Sequence, residues 1–373
     1  MKRDATHDAQ LPDWINGGEE PQPTRQPVLR WASDVEPEAV EFLWDPYLPL
    51  RKLTLLEGDP GEGKTWVALA LAAAITQGRG LLGTDGQPLD LGEPGRVLYM
   101  TYEDGLEDTI RPRLDLLGAH PGRVAVLEGV EDPATGDVAP ITLRDLDVIA
   151  QAVEDTNAVL VVVDPIQSYM ATDMNDAAKV RPILDGLSRL ARRHSCAVLG
   201  IRHWNKAQGA KSAYRGLGSI DFRAAARSVL YVGQNPGDSE QRVLVHGKSS
   251  CAAQGPSLAY RLQPPNGLTW VGVSDVTAAD LSAAEEGREQ RSAAEEAVAF
   301  LTAELASGSV PTPRVKQAAR QAGVSWRTVE RVKAKAGVCS RKTREGWVLE
   351  LIEQPGAPSD GGLGGLGSEA AEA

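Results

Sequence analysis

The octapeptide Gly58-Asp59-Pro60-Gly61-Glu62-Gly63-Lys64-Thr65 fits the pattern G-x-x-x-x-G-K-[ST], whose chemistry is the cradling of phosphate groups. Its glycines let the backbone curl so that N–H groups face phosphate oxygens, and a helix that follows adds its positive end. Lys64 is placed to reach β- and γ-phosphates, and the Thr65 hydroxyl to coordinate Mg²⁺. A Gly-rich surface turn is the competing reading. The apolar run at 53–56 before the loop and the helix-like run at 66–75 after it argue for nucleotide binding instead.

Hydrolysis needs further groups, and three apolar runs end in them. The run 158–163 finishes at Asp164, a carboxylate placed to hold Mg²⁺ directly or through water; capping the next turn is its alternative role. The run 97–102 finishes at Glu103, suited to orient and deprotonate an attacking water, or to favour the start of a helix through its dipole. Asp104 is expected to cap that helix. The run 197–201 leads through Arg202 to His203, where a side chain can sense a γ-phosphate or stand as a surface histidine. The five histidines do not cluster, and Cys196, Cys251 and Cys339 form no C-x-x-C pair, so neither a zinc site nor a disulfide framework is expected. Lys206, Lys211, Arg215 and Arg223 follow in and beyond a loop over 205–219, offering positive charge to a DNA backbone or to a neighbour's nucleotide.

Positioning these groups calls for strands at 52–56, 97–102, 124–127, 158–163, 197–201 and 229–232, with helices at 64–77, 106–118, 143–155 and 177–194. Continuous apolar strands alternating with helices predict an α/β fold with a mostly parallel sheet covered on both faces. Runs at 243–246, 258–261 and 269–273 read as hairpins or a sheet extension. The expected organisation is a disordered lead over 1–34, a nucleotide-binding domain over 35–274, a linker or the start of a helix over 275–291, a small domain over 292–353 and a flexible tail over 354–373. Trp44 and Pro46 lie ahead of the first strand, and core packing fits them better than stacking on a base.

The small domain has its own pattern. A helix is expected at 293–305, a second from the cap Thr312-Pro313 to about 322, a turn at Gly323, and a third over 326–336 from a Ser325 cap to Gly337. A hairpin follows, and the set predicts a winged helix-turn-helix. Arg327, Arg331 and Lys335 fall at i, i+4 and i+8, one stripe of the third helix, while Arg341, Lys342 and Arg344 mark the wing tip. This arrangement suits docking to DNA, with protein recruitment or a solvated basic face as alternatives. The whole chain of 373 residues carries −12, yet residues 311–346 hold ten Lys or Arg against two Glu, a net of +8 that leaves −20 for the rest. Such asymmetry points to one anion-binding module on an acidic body. No apolar run is long enough to span a bilayer and no apolar segment follows the N-terminal MKRDATHDAQ, so a cytoplasmic protein is expected.

Taken in order, GDPGEGKT, VLYMTYED, VLVVVD, RHWNK and YRGLGS resemble the RecA-like hexameric helicase ATPases. The similarity is greatest to plasmid RepA-type replicative helicases and to AAA ATPase relatives on phages and mobile elements, and covers residues 35–273. It implies ATP and Mg²⁺ at subunit interfaces of a ring with single-stranded DNA in it; duplex DNA is the partner expected of the C-terminal domain from its own basic residues. It also implies Glu103 as base, Asp164 as Mg²⁺ acid, His203 as γ-phosphate sensor and Arg215 as a finger reaching the adjacent subunit; a DNA-contacting loop arginine is the other role open to Arg215. The implied function is an ATP-hydrolysing DNA motor, against an ATP-gated DNA-binding regulator without unwinding. The basic C-terminal domain departs from compact RepA helicases.

Overall fold

The computed structural model describes residues 27–132, 134–174, 176–203, 220–263 and 267–352. Residues 1–40 and 41–373 pack as two units. In the first, the described stretch 27–40 is exposed and contains one 3-10 turn, Ala32–Asp34.

The second unit is built on a sheet of nine strands among the described residues. They are β1 (Leu53–Gly58), β2 (Val97–Thr101), β3 (Val124–Val126), β4 (Leu160–Asp164), β5 (Ala197–His203), β6 (Ser228–Asn235), β7 (Asp238–Ser249), β8 (Ser257–Gln263) and β9 (Gly267–Ser274). The order is β9-β8-β7-β6-β1-β5-β4-β2-β3. From β6 to β3 every pairing is parallel, and β7, β8 and β9 extend the sheet antiparallel. The expected α/β class is therefore what the chain adopts.

Alternation along each central strand divides its side chains between two cores, as a period of two requires. Leu53 and Leu55, Leu98 and Met100, and Val161 and Val163 face one; Leu56, Val97 and Tyr99, and Leu160 and Val162 face the other. The first face is covered by α3 (Leu146–Thr156), α4 (Ala177–Arg193) and α5 (Ile220–Ala225), the second by α1 (Lys64–Gln77) and α2 (Arg111–Leu116). Helix α1 is Ala- and Leu-rich and buried nearly all round, so its register against the sheet is fixed by packing on every side. Trp44 is 1% exposed, donates its indole N–H to the Leu82 carbonyl and packs on Tyr47 and Trp270, a core residue as its sequence context suggested.

Two expectations fail here. The segment 106–118 is not one helix: a π-type turn over Leu106–Ile110 precedes the short α2. The N-cap is Gly105, and Asp104 instead pairs with Arg113 at 3.3 Å. Residues 275–291 take the helical of the two readings open to them, because α6 runs unbroken over Ala278–Glu304 from a Thr277–Asp280 capping box.

The far half of α6 belongs to a third core with α7 (Thr312–Gln321), α8 (Trp326–Val332) and a small antiparallel sheet of β10 (Val310–Pro311), β11 (Val338–Thr343) and β12 (Gly346–Leu351). Thr312 stands inside α7 and Pro311 at its cap, and Ser325 caps α8 by position without a side-chain hydrogen bond. Helix α8 ends at Val332, four residues before the expected stop, and Gly337 turns the chain at φ 66°.

Candidate functional site

Strands β1, β5, β4 and β2 are neighbours, so four carboxyl-edge tips stand side by side: Gly58, His203, Asp164 and, two residues past β2, Glu103. Registers Gly58 with His203 and Asp164 with Thr101 hold those tips level. A site at this edge is what open parallel sheets provide.

The phosphate loop leaves β1 at Gly58, where a Cβ would lie 2.3 Å from the Val232 carbonyl oxygen. Gly61 and Gly63 adopt φ of 81° and 92°, the left-handed conformations that aim successive N–H groups inward. Lys64 is buried and its ammonium donates to the carbonyls of Gly58 (2.9 Å) and Asp59 (2.6 Å). Burial lowers its pKa to about 8, against the pull of Asp164, Asp59, Glu62 and Glu103.

Asp164, 6% exposed, accepts hydrogen bonds from the Tyr99 hydroxyl at 2.9 Å and from Thr65. Burial nevertheless raises its pKa to about 6, with help from Asp104 and Glu103. A desolvated carboxylate beside a hydroxyl fits a hard cation, and Mg²⁺ characteristically takes one or two protein ligands with phosphate oxygens completing its shell. Asp59, Pro60 and Glu62 complete the loop, with Pro60 at its exposed tip.

His203 and Glu103 meet at the rim, Nε2 to Oε2 3.8 Å apart, with Glu103 60% exposed to solvent. Burial and the Lys64 charge lower the His203 pKa below the ordinary imidazole value, offset in part by Glu103, so the ring is neutral at pH 7. Its carbonyl accepts from the Gln167 amide at 3.0 Å. One residue before it, Arg202 forms a buried ion pair with Glu57 of β1 at 2.8 Å and lies over the Phe222 ring, which fixes how β5 delivers His203.

Several contributors were not foreseen. Tyr99 lies diagonally from Asp164 across β2 and β4, a relation that follows once the register is known. Glu62 is gripped from outside the loop: Arg288 of α6 reaches it at 3.0 Å and Arg242 of β7 at 3.9 Å, while the Tyr260 hydroxyl donates to its carbonyl. Sequence distances of 180 to 226 residues hide such contacts. Lys206, Lys211 and Arg215 lie outside the described residues.

In the C-terminal module, Arg327, Arg331, Lys342 and Arg344 are exposed. Lys335 is exposed too, but it follows the end of α8, so the three-member stripe reduces to Arg327 and Arg331 on the helix. Arg341 departs from its expected availability: it makes two 2.8 Å hydrogen bonds to Glu350 on β12. That partner stands nine residues on, beyond the basic segment.

The family described as AAA domain matches residues 19–209, just over half of the chain. Two curated relatives carry the description DNA repair protein RadA. That from Halalkalibacterium halodurans is 28% identical over 162 residues, covering 42% of this chain and 29% of the relative. That from Bacillus subtilis is 25% identical over 158 residues, covering 41% and 28%. The chain thus spans under a third of the length of these relatives. A KaiC-like protein from Pyrococcus horikoshii superposes with a TM-score of 0.41 at 19% identity, over 60% of this chain and 91% of that one.

Proposed function

This chain belongs to the AAA domain family, its core is that of a RecA-like P-loop ATPase, and from that premise we propose that it is a DNA-dependent ATP hydrolase of the replicative helicase class, acting as a ring of six copies. The observation that carries the reading is the convergence of Lys64, Thr65, Asp164, Glu103 and His203 at four adjacent strand tips.

The roles follow from placement. The N–H groups of 61–65 and the Lys64 ammonium bind and orient the triphosphate, the ammonium turning from its carbonyls toward β- and γ-oxygens. Thr65 and Asp164 would hold Mg²⁺, which supplies neutralisation of charge building on the phosphate oxygens. Tyr99 fixes the Asp164 carboxylate by donating to it. Glu103 faces solvent at the rim, where its carboxylate can orient a water and take its proton at Oε2. His203, neutral, offers an N–H toward the terminal phosphate. Arg215 is proposed to serve the neighbouring subunit's site.

The descriptions of the RadA relatives and the exposed basic residues of the C-terminal module support DNA as partner. Measurement of ATP turnover with and without single-stranded DNA tests the reading. Stimulation is expected; turnover indifferent to DNA, together with no strand displacement or translocation, rejects it. A second reading is favoured by α6, which joins Glu62 to the C-terminal module: nucleotide sets the state of a DNA-binding regulator without unwinding. There Glu103→Gln keeps function provided ATP still binds, whereas a motor loses hydrolysis by about a hundred- to ten-thousandfold.

A further inference from the structure

At the amino edge of the sheet, the end away from the phosphate loop, a cavity of about 240 Å³ opens between α4, the start of β1 and the turn from α5 into β6. Leu53 lines it, and Gly58 stands five strand steps further on, about 17 Å at a strand's rise. Its charged lining is Arg51, Lys52, Arg181, Arg189, Arg192 and Arg227, against the single carboxylate Asp185.

The disposition follows from α4. Val180, Ile183, Leu184, Leu187, Leu190 and Ala191 repeat at helical spacing and face the core. Arg181, Asp185, Ser188, Arg189 and Arg192 recur on the side turned to the cavity. Arg181 is engaged by Asp185 at 3.0 Å, and Arg51 reaches Glu41 at 3.2 Å. Lys52, Arg189, Arg192 and Arg227 have no carboxylate partner among the described residues. Arg227 also stands near Lys248, whose ammonium pKa is lowered by burial and by Arg227 and Arg223. On a chain of net charge −12, an uncompensated concentration of this kind opposes the trend of the surface.

Five of the six cations are arginines, whose planar forks match phosphate oxygens in pairs. From Arg181 to Arg192 the helix advances 11 residues, about 16 Å. That is longer than one phosphate group and suits successive groups along a chain. We propose that this cleft is a phosphate-binding site whose ligand is the sugar-phosphate backbone of a nucleic-acid strand, held at the sheet edge opposite the nucleotide loop. The proposal is independent of the catalytic roles assigned above.

The test is Arg189→Glu with Arg192→Glu in the full chain, with Arg79→Glu plus Arg144→Glu, exposed residues elsewhere, as the control for net charge. Anisotropy of a labelled 20-nucleotide single strand, measured across a salt series, is the first arm. Loss of two phosphate contacts lowers the slope of log affinity against log salt by about 1.4, with at least a tenfold loss of affinity at low salt, and the control pair keeps the slope. The second arm, thermal shift by inorganic triphosphate on a Lys64→Ala background, identifies the source. If reversal abolishes only that shift, the site takes free phosphate compounds and the strand assignment is rejected. If both arms match the control, the proposal is overturned. It is overturned equally if the reversal changes only the mass of the protein in solution, since the cleft would then meet an acidic face of another copy. ATP turnover without DNA stays at the unsubstituted level. Arg189→Gln with Arg192→Gln repeats both arms if the reversed protein folds poorly.

Discussion

The two ends of the parallel strands use charge in opposite ways. At the carboxyl edge Lys64 and Asp164 are buried, each held by named neighbours, and both are displaced from their ordinary titration ranges. At the amino edge the arginines of α4 are exposed, and most lack carboxylates among the described residues. Buried, preorganised charge suits chemistry on one bound group, because low dielectric strengthens each contact and a misplaced atom is expensive. Exposed charge suits an extended polyanion, whose binding follows counterion release and tolerates imprecision.

The sharpest way to break this contrast is Lys64→Ala. Removing the ammonium that contacts the transferred phosphate is expected to lower ATP turnover by about a thousandfold or more, while strand binding by anisotropy at low salt stays within about twofold. Equal loss of both would merge the two ends into one site.

Acidity comes next. The free-enzyme profile of kcat/KM should be bell-shaped, falling tenfold per pH unit below about 6 as Asp164 takes a proton and above about 8 as Lys64 gives one up. A flat rate from pH 5 to 9 removes both groups from the reaction.

Asp164→Asn separates function from stability. The carboxyl titrates near 6 when folded and near 3.8 ordinarily, so folding favours its protonated form. Stability is therefore lost as pH rises from 4 through 6, and the whole cost, on the order of 3 kcal/mol, is present above that. At pH 8 the asparagine variant should melt several degrees higher while failing to turn over nucleotide, and the gain should shrink as pH approaches 4. The smallest effect belongs to the other end: Arg189→Gln with Arg192→Gln should shift unfolding free energy by no more than about 0.5 kcal/mol, read by urea titration.

Those differences also explain what was legible beforehand. Gly58 to Thr65, Asp164, Glu103 and His203 sit in contiguous runs, and alternating strands and helices force their tips to one edge, so local pattern was enough. Tyr99 on Asp164, and Arg288 and Arg242 on Glu62, depend on strand order and on where α6 lies, which periodicity does not encode. The amino-edge cleft draws Arg51, Arg181 and Arg227 from three distant segments, none conspicuous alone. The basic tract 311–346 stands out in the sequence, and only its details differ: Arg341 is engaged by Glu350 and Lys335 lies past the end of the helix it was assigned to.

Helix α6 has a mechanical corollary. From Arg288, gripping the phosphate loop, to its end at Glu304 it extends about 24 Å. A lever arm of that length converts a 10° tilt into roughly 4 Å of travel among the residues packed on Leu301 and Leu305. Gly287, with open space where a Cβ would stand, adjoins the fulcrum and is the one glycine of α6.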